Sequence, residues 1–179
     1  MDIKILFLDV DGTITDGKYY VSVGMSEEQE VIDGVMDKIT MVSKSFYTRD
    51  FDALERLSKT GVEINFITSS DGRVLSEKFK SITNYHVDIY FNISDKKKTI
   101  DFILDDIGLN WDNVAYIGDA ENDIECVEKA GFSCCPNDAI PEIKEKVDFV
   151  STYNGGNGAV WEFVKEILKI NMLKGEINE

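Results

Sequence analysis

The first apolar run of the chain, Ile3–Leu8, ends in the sequence Asp9-Val10-Asp11-Gly12-Thr13. Such a run followed by glycine predicts a buried strand that ends in a sharp turn. Side chains repeat with period two along a strand, so Asp9 and Asp11 are expected on the same side of its carboxyl end. Two carboxylates this close repel each other unless a cation lies between them, which favours an oxygen-ligated Mg²⁺ site. The alternative is a solvated strand-end turn, in which Asp-Gly is common.

Strand-like and helix-like patterns alternate along the rest of the chain. A helix is predicted over residues 96–107, where Ile100, Ile103, Leu104 and Ile107 share one face, and similar spacing occurs at Leu75–Ile82 and Val160–Leu168. The alternation predicts the α/β class, a Rossmann-like parallel sheet with helices on both faces, in a single domain over residues 1–179. Ligands of such sheets bind beyond the carboxyl ends of the strands. The further predicted strands are Val62–Thr68, Val87–Phe91, Val114–Gly118, Phe132–Cys135 and Val147–Val150.

The segment between Thr13 and Lys44 interrupts this alternation. Asp16-Gly17 followed by Lys18–Gly24 predicts a β-hairpin directly after the first strand. Ser45–Arg49 is interpreted as another strand, which leads into a helix from Asp50 to about Lys59.

Charge and composition restrict the classes of partner. The chain carries 34 acidic and 19 basic residues, a net charge of −15, and such a field repels nucleic acid. No apolar run approaches the ~20 residues needed to span a bilayer, so no membrane association is expected. The N-terminus reads as a strand rather than a secretory signal, and the three cysteines lack metal-site spacing. We expect a protein of the reduced cytoplasm.

Three other segments place chemically useful side chains at strand ends or helix starts. Thr68-Ser69-Ser70 can bind phosphate at the start of a helix, although Ser and Thr there are more often N-caps. Lys96-Lys97-Lys98 opens a helix, where a cationic cluster is disfavoured unless an anion compensates it. Asp119 and Asp123 follow the strand that ends at Gly118, and form a second acidic cluster or a simple helix cap.

In this order, the motifs resemble those of the haloacid dehalogenase superfamily of phosphohydrolases. Asp9–Thr13 matches its first motif and Ile67-Thr68 its second, a lysine of Lys96–Lys98 is the third, and Gly118–Asp123 is the fourth. Within the superfamily, the chain is most similar to the 3-deoxy-D-manno-octulosonate 8-phosphate phosphatases over nearly its whole length. Markers of that similarity include Thr15-Asp16-Gly17, Arg49-Asp50, Asp95-Lys96 and Gly155–Val160.

The resemblance implies a reaction and a role for each motif. Asp9 attacks phosphorus to form an aspartyl-phosphate, and Asp11 acts as general acid and then general base. Mg²⁺ is held by Asp9, the backbone carbonyl of Asp11 and Asp119, with Asp123 supporting them. Phosphate is bound by Thr68, Ser69 and one of the three lysines, of which the spacing of Asp95-Lys96 before Gly118-Asp119 favours Lys96.

The substrate is where the chain departs from the family. The family usually has Gly-Arg after the second-motif threonine and arginines at two positions of the glycine-rich segment. In this chain the three positions that are usually arginine are occupied by Ser70, Asn157 and Trp161. Arginine is the favoured bidentate partner of a carboxylate, so anchors for a sugar acid are lost. The octulosonate 8-phosphate is the first candidate, and a nonulosonate (acylneuraminate-type) 9-phosphate or another sugar phosphate is the alternative. Candidate substrate contacts are Arg49, Arg73 and Asn122.

The spacing of the motifs leaves little room for a cap over the site. Only 56 residues separate Asp11 from Thr68, and they include the predicted hairpin and the helix from Asp50 to about Lys59; 27 residues separate Thr68 from Lys96. Independent domains usually need about 50 residues or more of their own, so neither gap is expected to hold a folded cap beyond a hairpin. The resembling phosphatases cover their sites by forming tetramers, which implies a homotetramer here. Candidate interface residues are Tyr19, Tyr20, Val21 and Val23. The alternative to an interface is that the hairpin folds these side chains onto the core of its own chain. The tail Asn171–Glu179 is expected to follow the final helix, and either reaches a neighbour's pocket or is frayed.

Two rival functions remain at this stage. A non-catalytic binding or regulatory subunit with the same fold would be expected to lack Asp9 or Asp11, and both are present. A nucleic-acid 3′-phosphatase would share the chemistry, but it needs a basic groove, which the net charge argues against.

Overall fold

A central sheet of six parallel strands organises the chain. The computed structural model describes residues 1–25, 38–71 and 85–177. The sheet strands are β1 (Ile5–Leu8), β4 (Glu63–Ile67), β5 (Asp88–Tyr90), β6 (Val114–Ile117), β7 (Phe132–Cys135) and β8 (Phe149–Val150). Their spatial order is β5-β4-β1-β6-β7-β8, with every neighbouring pair parallel. The order reverses direction at β1, which is the topological switch point where ligands of such sheets bind.

Helices cover both faces of the sheet. Within the described residues they are α1 (Thr48–Ser58), α2 (Lys96–Ile107), α3 (Ile124–Lys129), α4 (Pro141–Lys144) and α5 (Ala159–Ile177), with single 3₁₀ turns at Trp111–Asn113 and Glu121–Asp123. Leu6 and Leu8 of β1 pack in the core that α1 and α5 share. Ile5 and Phe7 point to the opposite core, formed with α2, α3 and α4. Every residue of β1 is therefore buried, as the continuous apolar run predicts for a central strand covered on both sides. The predicted fold class is confirmed.

A hairpin follows the first strand, as predicted. Its strands are β2 (Tyr20–Met25) and β3 (Lys38–Ser43), which pair antiparallel from Tyr20 opposite Ser43 to Met25 opposite Lys38.

The interpretation of Ser45–Arg49 as a strand is wrong. Phe46 makes a single antiparallel bridge to Thr15, and α1 already begins at Thr48. The strand that pairs with β2 is β3 (Lys38–Ser43), which ends two residues before Ser45. The helix predicted around Leu75–Ile82 lies outside the described residues.

The last helix extends beyond the apolar pattern that predicted it. The structure continues α5 to Ile177, so Asn171 belongs to the helix and not to a tail after it. The Asn171 side chain accepts a hydrogen bond from the Ile3 N–H (3.0 Å) and donates one to the Ile3 carbonyl (2.9 Å). These bonds satisfy backbone groups just before β1 and explain why the helix stays attached there. None of the described helices is long and apolar enough to cross a membrane.

Candidate active site

Three neighbouring strands bring the predicted motifs to one edge of the sheet. The carboxyl ends of β1, β4 and β6 are adjacent because Leu8 pairs with Phe66 on one side and with Ile117 on the other. The backbone N–H of Asp9 donates to the Ile117 carbonyl at 2.9 Å, which holds Asp9 in the sheet ladder. Residues that follow parallel strands share an edge, so the first, second and fourth motifs meet there.

A buried lysine links the first and fourth motifs. The side chain of Lys96 is fully buried, and its Nζ donates to Asp9 Oδ1 at 2.5 Å and to Asp123 Oδ1 at 2.7 Å. Asp123 also accepts from the Tyr116 hydroxyl at 2.5 Å and from the backbone N–H of Asp119 at 3.1 Å. Asp95 is the N-cap of α2, and it accepts from the N–H of Lys98 at 2.9 Å, which fixes the first turn that carries Lys96.

Asp119 lies against the turn that follows β1. Thr13 Oγ1 donates to Asp119 Oδ1 at 3.1 Å. Gly12 has φ of +86°, and a Cβ at this position would lie 2.2 Å from Asp119 Oδ2. Only glycine fits here, because the backbone conformation and the carboxylate both exclude a side chain. The Asp-Gly pair thus serves close approach of two motifs in addition to turning the chain.

Oxygens of Asp9, Asp119 and Asp123 lie within 4.8 Å of one another. Burial, and then the charge of Asp123, raises the pKa of Asp9 to about 8 and that of Asp119 to about 6. Burial lowers the pKa of Lys96, but the carboxylates of Asp9 and Asp123 outweigh it and the net shift is upward. When all three carboxylates are ionised, they and the one ammonium carry two net negative charges, which is the charge that a divalent cation neutralises. The donor set therefore fits an oxygen-liganded divalent metal.

Asp123 is the least available member of this cluster. Both of its oxygens are engaged, Oδ1 by Lys96 and Tyr116 and Oδ2 by two backbone N–H groups. The hydrogen bonds found for Asp9 and Asp119 engage Oδ1 of each. This difference favours Asp9 and Asp119 as ligands and Asp123 as a support, as a second carboxylate often orients metal ligands.

The Asp11 side chain is not a member of this cluster and makes its hydrogen bonds to other residues. Its Oδ1 accepts from Lys44 Nζ, and its Oδ2 accepts from Ser70 Oγ at 2.7 Å. The structure thus separates the two carboxylates of the first motif into two environments, one buried among acids and one at the mouth of the site.

The remaining predicted site residues divide into those near the cluster and those away from it. Thr68 is buried, and its hydroxyl accepts a local hydrogen bond from the Ser70 N–H at 3.1 Å. Ser69 Oγ accepts from Asn122 Nδ2 at 3.4 Å, so the second and fourth motifs touch at the rim. Arg49 is exposed, with its guanidinium 6.0 Å from the Tyr47 ring. Arg73 lies outside the described residues.

The structure distinguishes the three lysines that the sequence grouped together. Lys96 is buried against Asp9, whereas Lys97 pairs with Asp101 on the surface of α2 and Lys98 is exposed. A helix turns by 100° per residue, so only one of three consecutive side chains can face the site.

Sequence reasoning missed three residues of the site: Thr13, Lys44 and Tyr116. Thr13 is part of the first motif, and its adjacency to Asp11-Gly12 was a usable signal. Tyr116 is the polar residue in the buried strand β6, and buried tyrosine hydroxyls normally find a partner. Lys44 carried no local signal, since its position depends on where the hairpin returns to the sheet.

Comparison with known proteins agrees with this geometry. The family model for haloacid dehalogenase-like hydrolases matches residues 25–164. The chain belongs to the haloacid dehalogenase-like hydrolases. The resemblance inferred from the motifs is thereby confirmed, and the chain is an enzyme, a phosphoric monoester hydrolase.

Its relatives include two kinds of sugar-acid enzyme. The 3-deoxy-D-manno-octulosonate 8-phosphate phosphatase of Salmonella typhi is 28% identical over 178 residues, covering 99% of this chain and 84% of that protein. The N-acylneuraminate cytidylyltransferase A of Danio rerio is 30% identical over 171 residues, 93% of this chain but 35% of that protein. Among solved structures, the Moraxella catarrhalis octulosonate 8-phosphate phosphatase, in complex with magnesium, phosphate and the sugar acid, has a TM-score of 0.76 at 28% identity. That match covers 93% of this chain and 86% of the Moraxella chain.

Proposed function

We propose that this hydrolase is a Mg²⁺-dependent phosphatase of a small phosphorylated sugar acid, with 3-deoxy-D-manno-octulosonate 8-phosphate as the first candidate substrate. The observation that carries the proposal is Asp9, whose carboxylate is held at the switch point of the sheet by Lys96 beside Asp119. Asp9 and Asp119 would hold the metal through their second oxygens, together with the backbone carbonyl of Asp11. When bound, the metal supplies positive charge for the transferring phosphoryl oxygens.

The chain's own residues divide the reaction into two steps. In the first, a carboxylate oxygen of Asp9 bonds to phosphorus while the P–O ester bond breaks, and Asp11 gives its proton to the leaving alkoxide. In the second, Asp11 takes a proton from water as the water oxygen bonds to phosphorus. The bond between phosphorus and Asp9 breaks, and inorganic phosphate and free Asp9 result. Lys96 and Thr68 stabilise negative charge on the transferring phosphoryl group.

A second substrate class is favoured by specific observations. The Danio rerio relative is named for N-acylneuraminate, a nine-carbon sugar acid, and Ser70, Asn157 and Trp161 stand where arginines are usual in the octulosonate enzymes. A nonulosonate 9-phosphate is therefore the alternative substrate. Phosphate release is to be measured from both compounds and from a panel of neutral sugar phosphates, with Mg²⁺ present. The proposal expects kcat/KM for one of the two sugar acids to exceed the values for the neutral sugars; a higher value for a neutral sugar phosphate overturns the substrate class.

The same proposal includes a homotetramer. Tyr19, Tyr20 and Val21 have exposed fractions of 58%, 47% and 59%, so the hairpin presents apolar side chains to solvent in the single chain. Packing between copies would remove that surface from water and cover the site, which strengthens electrostatic catalysis. Val23 was a candidate as well, but its side chain lies outside the described set.

A further inference from the structure

The carboxylate of Asp11 is held on both of its oxygens by residues from different parts of the chain. Lys44, which follows β3 of the hairpin, donates to Oδ1. Ser70, which follows β4 of the sheet, donates to Oδ2 at 2.7 Å. The side chains of Lys44 and Asp11 are 12% and 25% exposed, so this contact lies inside the mouth of the site and not on the free surface.

Lys44 is itself anchored on its other side. Its Nζ lies 4.7 Å from the centroid of the Tyr19 ring, a distance at which an ammonium is attracted to an aromatic face. Tyr19 directly precedes β2, so Lys44 is held between the start of the hairpin and Asp11 in the turn after β1. The hairpin therefore reaches the reaction centre through one charged side chain.

Hydrogen bonds to both oxygens orient the Asp11 carboxylate, and a proton donor needs a fixed orientation. Asp11 sits in an irregular turn, with φ of −82° and ψ of 118°, and its carboxylate does not join the carboxylate cluster of Asp9, Asp119 and Asp123. A single hydrogen bond leaves a carboxylate free to rotate, whereas donors on both oxygens fix its plane. A proton donor must stand within hydrogen-bond reach of the leaving oxygen, and a misplacement of about 1 Å costs up to about 100-fold in rate.

From these contacts we infer that Lys44 and Ser70 are positioning residues for the general acid Asp11, and that Lys44 couples the hairpin to catalysis. The inference rests on the proposed role of Asp11. Ser70 stands where the resembling enzymes usually carry arginine, so this chain uses that position to orient the acid.

The test compares leaving groups that need a proton with one that does not. An alkyl phosphate, such as the preferred sugar phosphate, leaves as a poor alkoxide and requires proton donation. p-Nitrophenyl phosphate leaves as a stable phenolate and depends little on the acid. The variants Lys44→Met and Ser70→Ala are expected to lower kcat/KM for the alkyl phosphate by about 10- to 100-fold, and for the aryl phosphate at least ten times less. Lys44→Arg, which keeps the charge, is expected to recover part of the loss.

Asp11→Asn and Lys59→Met serve as references. Lys59 pairs with Glu55 on the surface of α1, so its change is expected to leave both substrates unaffected. If Asp11→Asn discriminates between the substrates but Lys44→Met and Ser70→Ala do not, the positioning inference is overturned while the proposed function stands. Equal losses on both substrates for Asp11→Asn would instead remove the general-acid role itself.

Discussion

The buried carboxylate of Asp50 accepts a hydrogen bond at 2.8 Å from the backbone N–H of Trp161, 111 residues further along the chain. It also accepts from the N–H of Gly158, and so holds the glycine-rich segment against the start of α1. That segment packs on the turn that follows β1, since the Gly156 N–H donates to the Thr13 carbonyl at 3.0 Å. A Cβ on Gly155 would lie 1.8 Å from the Gly12 carbonyl oxygen, so the approach requires glycine.

The first prediction concerns the pH dependence that Asp50 brings to stability. Burial raises its pKa to about 6, and in the described part of the chain its Oδ2 has no hydrogen-bond partner. The pKa of Asp50 is higher in the folded than in the unfolded chain. Its contribution to the free energy of unfolding is therefore fully present below about pH 4 and is lost as the pH rises through 6. Relative to Asp50→Asn, the wild type is expected to lose up to about 3 kcal/mol of unfolding free energy from pH 4 to 7.

Urea unfolding at pH 4, 5.5 and 7, with metal chelated, measures this difference. Asp9 and Asp119 titrate in both proteins, so their contributions cancel. Leu54→Ala, a core change on the same helix, is the control, and its free-energy loss is expected to be independent of pH. Parallel curves for the wild type and Asp50→Asn would contradict the prediction.

The second prediction is that Asp9→Asn abolishes turnover. Asparagine keeps the shape of the side chain but removes the nucleophile and one negative charge of the metal site. Turnover is expected to fall by about 10⁴-fold or more, the scale seen when nucleophiles are removed. Phosphate release under saturating substrate measures it, with the exposed Asp106→Asn as a control of equal charge change. Near-normal turnover in the Asp9 variant would contradict the aspartyl-phosphate mechanism.

The third prediction separates Lys96 from its neighbour. Lys96→Met leaves Asp9 and Asp123 without their buried counter-charge and is expected to cost about 3–5 kcal/mol of stability, together with most of the activity. Lys97→Met breaks only a partly exposed pair with Asp101 and is expected to change neither property measurably. Thermal unfolding and turnover of the two variants, in parallel, provide the check. Equal effects would show that the assignment to Lys96 is wrong.

The fourth prediction is stabilisation by a divalent cation. A metal that binds only the folded state adds about 2.7 kcal/mol at 100 times its Kd, which corresponds to roughly 5–10 °C in Tm for a chain of this size. Asp119→Asn is expected to remove most of that gain, whereas Glu121→Gln, an exposed change two residues along, is expected to keep it. Calorimetry with Mg²⁺ and with a chelator gives both numbers. A wild type with the same Tm in both would argue against the site.

The fifth prediction tests assembly through the hairpin. Val21→Asp places a charge in the exposed apolar surface of β2 and is expected to convert a tetramer into smaller species. Phe102→Asp makes a comparable change on α2, where the phenyl ring is 76% exposed, and is expected to leave the mass unaltered. Light scattering at micromolar concentration distinguishes them. A wild-type monomer with full activity would exclude a site shared between copies.

The sequence by itself determined the features that are local in the chain. Continuous apolar runs and helical spacing depend on neighbouring residues, so they predicted the parallel sheet, the helix at 96–107 and the strand Phe132–Cys135 at their observed bounds. The first motif identified Asp9 because the motif consists of five consecutive residues, Asp9–Thr13. The net charge argued against a nucleic-acid partner, but composition could not locate any contact.

Only the tertiary structure decided how distant segments meet. Lys44 lies 33 residues from Asp11, and Lys96 lies 27 from Asp123, so each pairing depends on where a helix or hairpin docks and not on local pattern. The choice among three consecutive lysines likewise required the rotation of α2 against the sheet. Ser45–Arg49 was misread for the same reason, because pairing of a strand is settled by its partner, and the partner of β2 proved to be Lys38–Ser43.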